Sequence, residues 1–328
     1  MSFPSFLYSQ LFARLPYPET SFTGKTVIIT GSNTGLGREA ARHVARLGAS
    51  NLIIAVRDVA KGDAAKEDIE RSTGCAKGTI QVWHLDMADY SSVIGFADRA
   101  NKDLERVDVL LANAGIAGFA GNAWRTAEDN EAMITVNVVS TFLLTMLMMP
   151  KLKETARKFN VRPVVTITSS EVHAHTTFPE KSAPDGQIFQ TLNDQSKSDI
   201  KERYPVSKLL EVFGVRAFAE RYPSSSFSVT VNTVNPGLCH SELSREGGWT
   251  YVVLKALLAR STEYGSRTLL HAATQGPESH GQYLSDCQIA QPSPLVRSEE
   301  GKVAQDRVWD ELVQKLEVIK PGVTAGLA

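Results

Sequence analysis

The stretch Lys25-Thr26-Val27-Ile28-Ile29-Thr30, running into Gly31-Ser32-Asn33-Thr34-Gly35-Leu36-Gly37, limits the fold more than any other part of the chain. Its first half is apolar and rich in β-branched residues, which reads as a buried strand. Its second half leads into Arg38–Leu47, where Leu36, Ala40, Val44 and Leu47 recur at helical spacing. Strand, glycine-rich turn and helix in that order make a phosphate cradle. The glycines let the backbone turn tightly and approach a ligand, and the free N–H groups of the helix start attract an anion.

The same alternation continues along the chain. Strands are expected at 51–56, 79–85, 107–112, 163–168 and 228–234, with a last one near 282–284. Asp58 suits the N-cap of a helix running to about Ser72, stopped by Gly74. Further helices are expected over 90–104, 127–153 and 203–220, and around Val308, Trp309 and Leu312. Repeated βα units with apolar strands imply an α/β fold, a doubly wound parallel sheet of the Rossmann type. No repeat or inter-domain linker interrupts it, so 24–328 reads as one domain. Ligands of such sheets bind at the C-terminal strand edge, near the switch in strand order. Residues 1–23 carry an apolar face (Phe3, Phe6, Leu7, Leu11, Phe12, Leu15) broken by Pro4, Pro16 and Pro18. Without a basic start or a continuous apolar middle it does not read as a signal peptide; a short amphipathic helix packed on the body is expected, ahead of membrane association.

Composition narrows the function. A formal net charge of -1 gives no electrostatic case for nucleic acid or an acidic membrane surface. No run reaches the ~18 apolar residues of a membrane span. Three widely spaced cysteines, Cys75, Cys239 and Cys287, lack metal-ligand spacing and fit a reducing, cytoplasmic setting. The long Met- and Leu-rich helix reads as core packing rather than a cofactor box, and since sequence does not separate a dimer surface on the long helices from core, oligomeric state is left open.

Four clusters fall where strands end. Arg57, in Ala55-Val56-Arg57-Asp58, stands where a dinucleotide fold places a carboxylate for NAD or an arginine for a 2′-phosphate. With Arg38 and the Ser32 hydroxyl it argues for NADP(H), Asp58 being more simply a helix cap. Asp86, in Leu85-Asp86-Met87, suits an adenine amino group, and Asn113-Ala114-Gly115 lets the backbone lie flat against a nucleotide. The fourth cluster joins Thr168-Ser169-Ser170 to Tyr204-Pro205-Val206-Ser207-Lys208. Tyr204 and Lys208 share a helical face. A phenol of pKa ~10 is a poor acid–base catalyst at neutral pH until an ammonium stabilises its anion.

On Thr30 to Gly37, Asp86, Asn113-Ala114-Gly115, Asn137, Ser170, Tyr204, Lys208 and Asn235-Pro236-Gly237, the chain resembles the short-chain dehydrogenase/reductase family over roughly 23–318. The glycine turn with Ala55-Val56-Arg57-Asp58 and Lys61-Gly62 is most similar to its retinol dehydrogenase-like branch. Phe6-Leu7-Tyr8-Ser9-Gln10 and Tyr17-Pro18 resemble reductases of filamentous fungi, often encoded beside secondary-metabolite genes. The resemblance implies that Tyr204 is the acid in reduction or the base in oxidation, that Lys208 bonds the nicotinamide ribose, and that Ser170 orients the carbonyl. It implies that Asn137 breaks a helix and positions a relay water. Pro236-Gly237 would lie along the nicotinamide and Ser241 would touch its carboxamide. Ser169 competes with Ser170, and the family pattern favours the second serine.

Between Ser170 and Tyr204 the chain is longer than the family's usual spacing. The added segment, about 173–202, reads as a loop with at most a helical turn, bordering the substrate pocket. Residues 241–274, with Trp249, Tyr251, Leu254, Leu257 and Leu258, stand where the family carries a lid, and they suit either a lipophilic ketone or alcohol or plain core. The expected activity is NADP(H)-dependent hydride transfer to such a substrate. An NAD-linked oxidative dehydrogenase, and an NADP-binding scaffold or non-redox cyclase, are the competing readings.

Overall fold

Strand β1 (Thr26–Thr30) lies inside an eight-stranded sheet in the computed structural model, which describes residues 3–118, 123–197, 199–240 and 256–327. The other strands are β2 (Asn51–Val56), β3 (Ile80–His84), β4 (Val109–Ala112), β7 (Val164–Thr168), β8 (Thr230–Asn235), β9 (Tyr283–Ser285) and β10 (Gln288–Ala290). A separate two-stranded hairpin is formed by β5 (Thr126–Ala127) and β6 (Asn130–Glu131). The sheet order is β10-β9-β8-β7-β4-β1-β2-β3, parallel throughout except for the β9–β10 pair. Every residue of β1 is buried because helices cover both faces. This is the doubly wound α/β sheet expected.

Helices α2 (Gly35–Arg46), α3 (Val59–Thr73) and α8 (Thr262–Ala273) cover one face, joined by Ala40, Val44, Ile69, Leu269 and Leu270. The other face is covered by α4 (Tyr90–Asp103), α5 (Ser140–Phe159), α7 (Arg203–Arg221) and α9 (Glu299–Ile319). Local signals set the boundaries as read. The Asp58 side chain accepts from Lys61 N at 3.1 Å and starts α3, while Gly74, at φ 64°, ends it in the left-handed region. Such a cap contributes about 1 kcal/mol. Among the described residues one helical run, Ile134–Phe159, is long and apolar enough to cross a bilayer, but 89% of its most apolar window is buried in the protein, so it is core.

Three expectations need correction. The helix placed over 127–153 begins instead with the β5–β6 hairpin and a π-helical turn at Ile134–Val139, and only then becomes α5. The segment 173–202 is not an open loop at the pocket. It forms 3₁₀ turns at Glu171–Ala174 and Pro179–Ser182 and the short helix α6 (Ile188–Leu192). Phe178, Ile188, Phe189 and Leu192 bury into the main core. The Glu311 carboxylate accepts from Ile188 N and Phe189 N at 3.1 and 3.0 Å, and Arg307 donates to the carbonyls of Lys181, Ala183 and Pro184. Its apolar residues were too few in sequence to outweigh the prolines and charges around them. Lastly, the lid expected over 241–274 divides. Its first part, 241–255, lies outside the described residues, whereas α8 is a core helix packed along α2.

Candidate active site

The order of strands reverses between β4 and β1, and both strands end there on small residues. Gly31 sits at φ 65°, and a Cβ on it would lie 2.9 Å from Ala114 Cα. At Gly37 a Cβ would come within 2.5 Å of the Gly31 carbonyl oxygen and 2.6 Å of Asn113 Nδ2. Glycine is therefore required by close approach at both positions. The Asn113 amide donates to the carbonyls of Thr30 and Gly31 at 3.0 and 3.3 Å. The Thr30 hydroxyl accepts from the backbone N–H groups of Asn113 and Ala114. Together these bonds lock the two strand ends into one floor.

From that floor a cleft of about 820 Å³ runs along the C-terminal edge of the sheet. Gly31, Asn33, Gly35, Leu36, Gly37, Arg57, Asp86, Met87, Asn113, Ala114 and Gly115 line one end. Two residues expected there, Ser32 and Arg38, do not line it. The Ser32 hydroxyl is fully buried and donates to Ile29 O at 2.7 Å, so it shapes the turn. Arg38 is not among the lining residues; its Nε sits 3.6 Å from Glu39 on the same helix. Arg57 is exposed at the cleft, and Asp58 is engaged as the α3 cap and with Lys61.

At the other end stand Ser170, Tyr204 and Lys208. Ser170 lies two residues beyond β7 as the N-cap of the 3₁₀ turn, its hydroxyl accepting from Val172 N at 3.3 Å. Ser169, its rival, is buried and donates to Lys208 O at 2.9 Å, which ties β7 to α7. Lys208 Nζ lies 5.7 Å from the Tyr204 ring centre. It donates to Thr168 O and to Glu211 Oε1, both at 2.8 Å. Asn137 is fully buried in the π-helical turn, and its amide is committed to protein atoms. Its Oδ1 accepts from Ile116 N at 2.8 Å, and its Nδ2 donates to Ile116 O and Ser207 Oγ at 2.9 Å. The geometry makes it a clamp between the end of β4 and the start of α7.

The β8 end of the cleft is formed by Pro236, Gly237, Leu238 and Cys239. Ser241 lies outside the described residues. This loop is held from the chain's beginning. Gln10, on α1 (Phe3–Phe12), accepts from Leu238 N at 3.2 Å and donates to the carbonyls of Leu238 and Leu258. Buried Arg260 donates to Pro236 O, to Ser9 O and to Asp286 Oδ1, the last at 2.6 Å. Glu171 lines the cleft beside Ser170, and burial pushes its carboxyl up to about 7. Sequence reading missed Gln10, Arg260, Asp286, Glu171 and Glu211. Of these Glu211 carried a spacing signal, three positions after Lys208 on the same helix, and Gln10 stood in the Phe6–Gln10 motif with no role assigned to it.

Residues 25–183 match the family model for the short chain dehydrogenases. The short chain dehydrogenase/reductase dmxR8 of Cryptosporiopsis sp. is 61% identical over 326 residues, 98% of this chain and 99% of its own length. The short-chain dehydrogenase anuD of Penicillium roqueforti is 42% identical, covering 98% of this chain and 85% of its length. In fold, the chain is similar to 3-ketoacyl-(acyl-carrier-protein) reductase from Brucella melitensis, with a TM-score of 0.61 at 19% identity over 81% of this chain and 97% of that one.

Proposed function

This chain belongs to the short-chain dehydrogenase/reductase family, and from that premise we propose that it transfers hydride between NADP(H) and a carbonyl or secondary alcohol of a lipophilic small molecule. As an oxidoreductase of this family it works with a nicotinamide dinucleotide, NAD(P)(H). One observation carries the finer reading. A single cleft has a glycine cradle at one end and Ser170, Tyr204 and Lys208 at the other.

The residues fit the cofactor. The close approaches at Gly31 and Gly37 leave a bare backbone floor, and the N-terminus of α2 above it suits the pyrophosphate. Asp86 and Met87 would hold the adenine, and Asn113 to Gly115 the strand-end face of the nucleotide. Arg57 would hold a 2′-phosphate, Asp58 being engaged elsewhere. Lys208 would bond the nicotinamide ribose, and Pro236 and Gly237 would flank the ring. The bound nicotinamide supplies or accepts the hydride. In reduction the Tyr204 hydroxyl gives its proton to the substrate oxygen as hydride arrives at carbon, and Ser170 steadies that oxygen by a hydrogen bond. In oxidation the same proton returns to Tyr204.

Assignment to the retinol dehydrogenase-like branch rests on the glycine turn together with Arg57. A role in fungal secondary metabolism rests on the fungal relatives, and a cytoplasmic setting on the odd number and wide spacing of Cys75, Cys239 and Cys287. We test the reading by calorimetry with NADPH and NADH, followed by turnover of a panel of lipophilic ketones. Tighter binding of NADPH and oxidation of it by one or more ketones are expected. Absence of binding by either cofactor contradicts the reading.

A further inference from the structure

We propose that Glu211 is a positioning residue of the Tyr204–Lys208 pair, one that holds the Lys208 ammonium in place and weakens its pull on the Tyr204 phenol. The inference rests on the reading of Tyr204 as proton donor given above.

Lys208 is 4% exposed and Glu211 is 2% exposed, so neither charge is solvated by bulk water. An ammonium has three donors. Two of them are taken by Thr168 O and Glu211 Oε1, each at 2.8 Å. The remaining one is left for the cleft side, where a Cβ built on Gly115 would lie 3.6 Å from Nζ. Glu211 thus sets which way the ammonium points. Its own second oxygen, Oε2, is buried and makes no hydrogen bond. Burial raises its carboxyl against the opposing pull of Lys208 and the Ser169 hydroxyl.

Along α7, Tyr204 lies four positions before Lys208 and Glu211 three positions after it, so the two flank the ammonium. About seven residues of helix separate them, roughly 10 Å along the axis. An ammonium alone would favour the phenolate strongly. A carboxylate at that distance opposes it, by on the order of one unit at an effective dielectric of ~20.

From the 3₁₀ turn after β7 the ionisable groups are Glu171, facing Arg260 and Asp286, and His173, lowered to about 4 by burial. The π-helical turn contributes the neutral Asn137 amide. From α9 come Gln305, Asp306 and Asp310, which pair with Arg216, Arg221 and Lys302. Arg203, next to Tyr204, faces Glu180 at 3.3 Å and also acts on Glu131. Lys208 is the charged group that acts on Glu211.

The experiment titrates the Tyr204 phenol in the full chain without cofactor, from the phenolate absorbance of the wild type minus that of Tyr204→Phe. The same difference is taken in Glu211→Gln and in Glu211→Asp backgrounds, with melting temperatures alongside. Glutamine keeps an acceptor for Lys208 but removes the charge. The Tyr204 midpoint should fall by about one unit in Glu211→Gln and stay near wild type in Glu211→Asp. An unmoved or raised midpoint in Glu211→Gln overturns the proposal, as does an equal fall in Glu211→Asp. Loss of the fold in Glu211→Gln overturns it too, since the carboxylate would then be only a scaffold of α7. No substrate enters this titration, so its failure is separate from failure of the proton-donor reading, which turnover by Tyr204→Phe decides.

Discussion

At the β1–β4 end of the cleft the walls are main chain, pressed together around Gly31 and Gly37 and tied by the Asn113 amide and the Thr30 hydroxyl. At the β8 end the loop through Gly237 hangs on side chains from far away: Gln10 and Ser9 on the N-terminal helix, Arg260, and Asp286. The first end fails when atoms are added, the second when they are removed. The first is local in sequence, so a short motif encodes it. The second closes contacts across most of the chain's length, and no motif records it.

The largest effect that would test this contrast is Arg260→Leu. It removes the cationic partner of Asp286, whose Oδ2 still accepts from the Ser9 hydroxyl, and the donor to Pro236 O and Ser9 O in one step. Breaking a buried pair in this way costs ~3–5 kcal/mol, to be read from denaturant midpoints. A loss below about 1 kcal/mol would mean that the β8 end does not depend on this node.

Gly37→Ala probes the opposite end by adding a methyl group. Its Cβ would lie 2.5 Å from Gly31 O, so the turn must shift. Overpacking of this kind costs ~2–3 kcal/mol, and affinity for the cofactor should fall with it while the β8 end is untouched. Calorimetry showing wild-type affinity would refute the close-packed floor.

A pH dependence separates the ends further. The Glu171 carboxyl is raised to about 7, so between its unfolded value and 7 the folded chain binds more protons than the unfolded one. Stability from this group is therefore present below about pH 4.5 and is lost as pH rises through 7. Glu171→Gln should stabilise the protein by ~2 kcal/mol at pH 8 and have little effect near pH 4. Equal effects at both pH values would show that burial does not govern this carboxyl.

The smallest effect concerns Arg57. If it holds a 2′-phosphate, NADPH binds more tightly than NADH by ~1–2 kcal/mol, and Arg57→Ala removes most of that preference while leaving NADH binding unchanged. Equal affinity of the wild type for both cofactors would place the cation's role elsewhere.

How much was legible follows from the same contrast. The strand–turn–helix signal gave the sheet, and Thr30 to Gly37, Asp86 and Asn113 to Gly115 could be placed at its edge, because short apolar runs and glycines act locally. Helical spacing put Tyr204 and Lys208 on one face, but it was the family resemblance that singled them out and chose Ser170 over Ser169. The Ser32 hydroxyl was misjudged, since only coordinates show it turned to Ile29 O. Asn137 was rightly set at an irregular turn, yet its amide clamps Ile116 and Ser207. The inserted segment was misread because Phe178, Ile188 and Leu192 are spaced by packing into the core, Phe178 against Phe213 of α7, with no regular period to announce it.

The central claim is that Tyr204 transfers the proton. Once a ketone turned over by the wild type is found, Tyr204→Phe keeps nearly all the ring's packing and removes only the hydroxyl. Turnover should fall by ~10²–10⁴-fold with NADPH affinity retained, the range that positioned acid–base catalysis supplies. Full activity of Tyr204→Phe across the pH range would contradict the account.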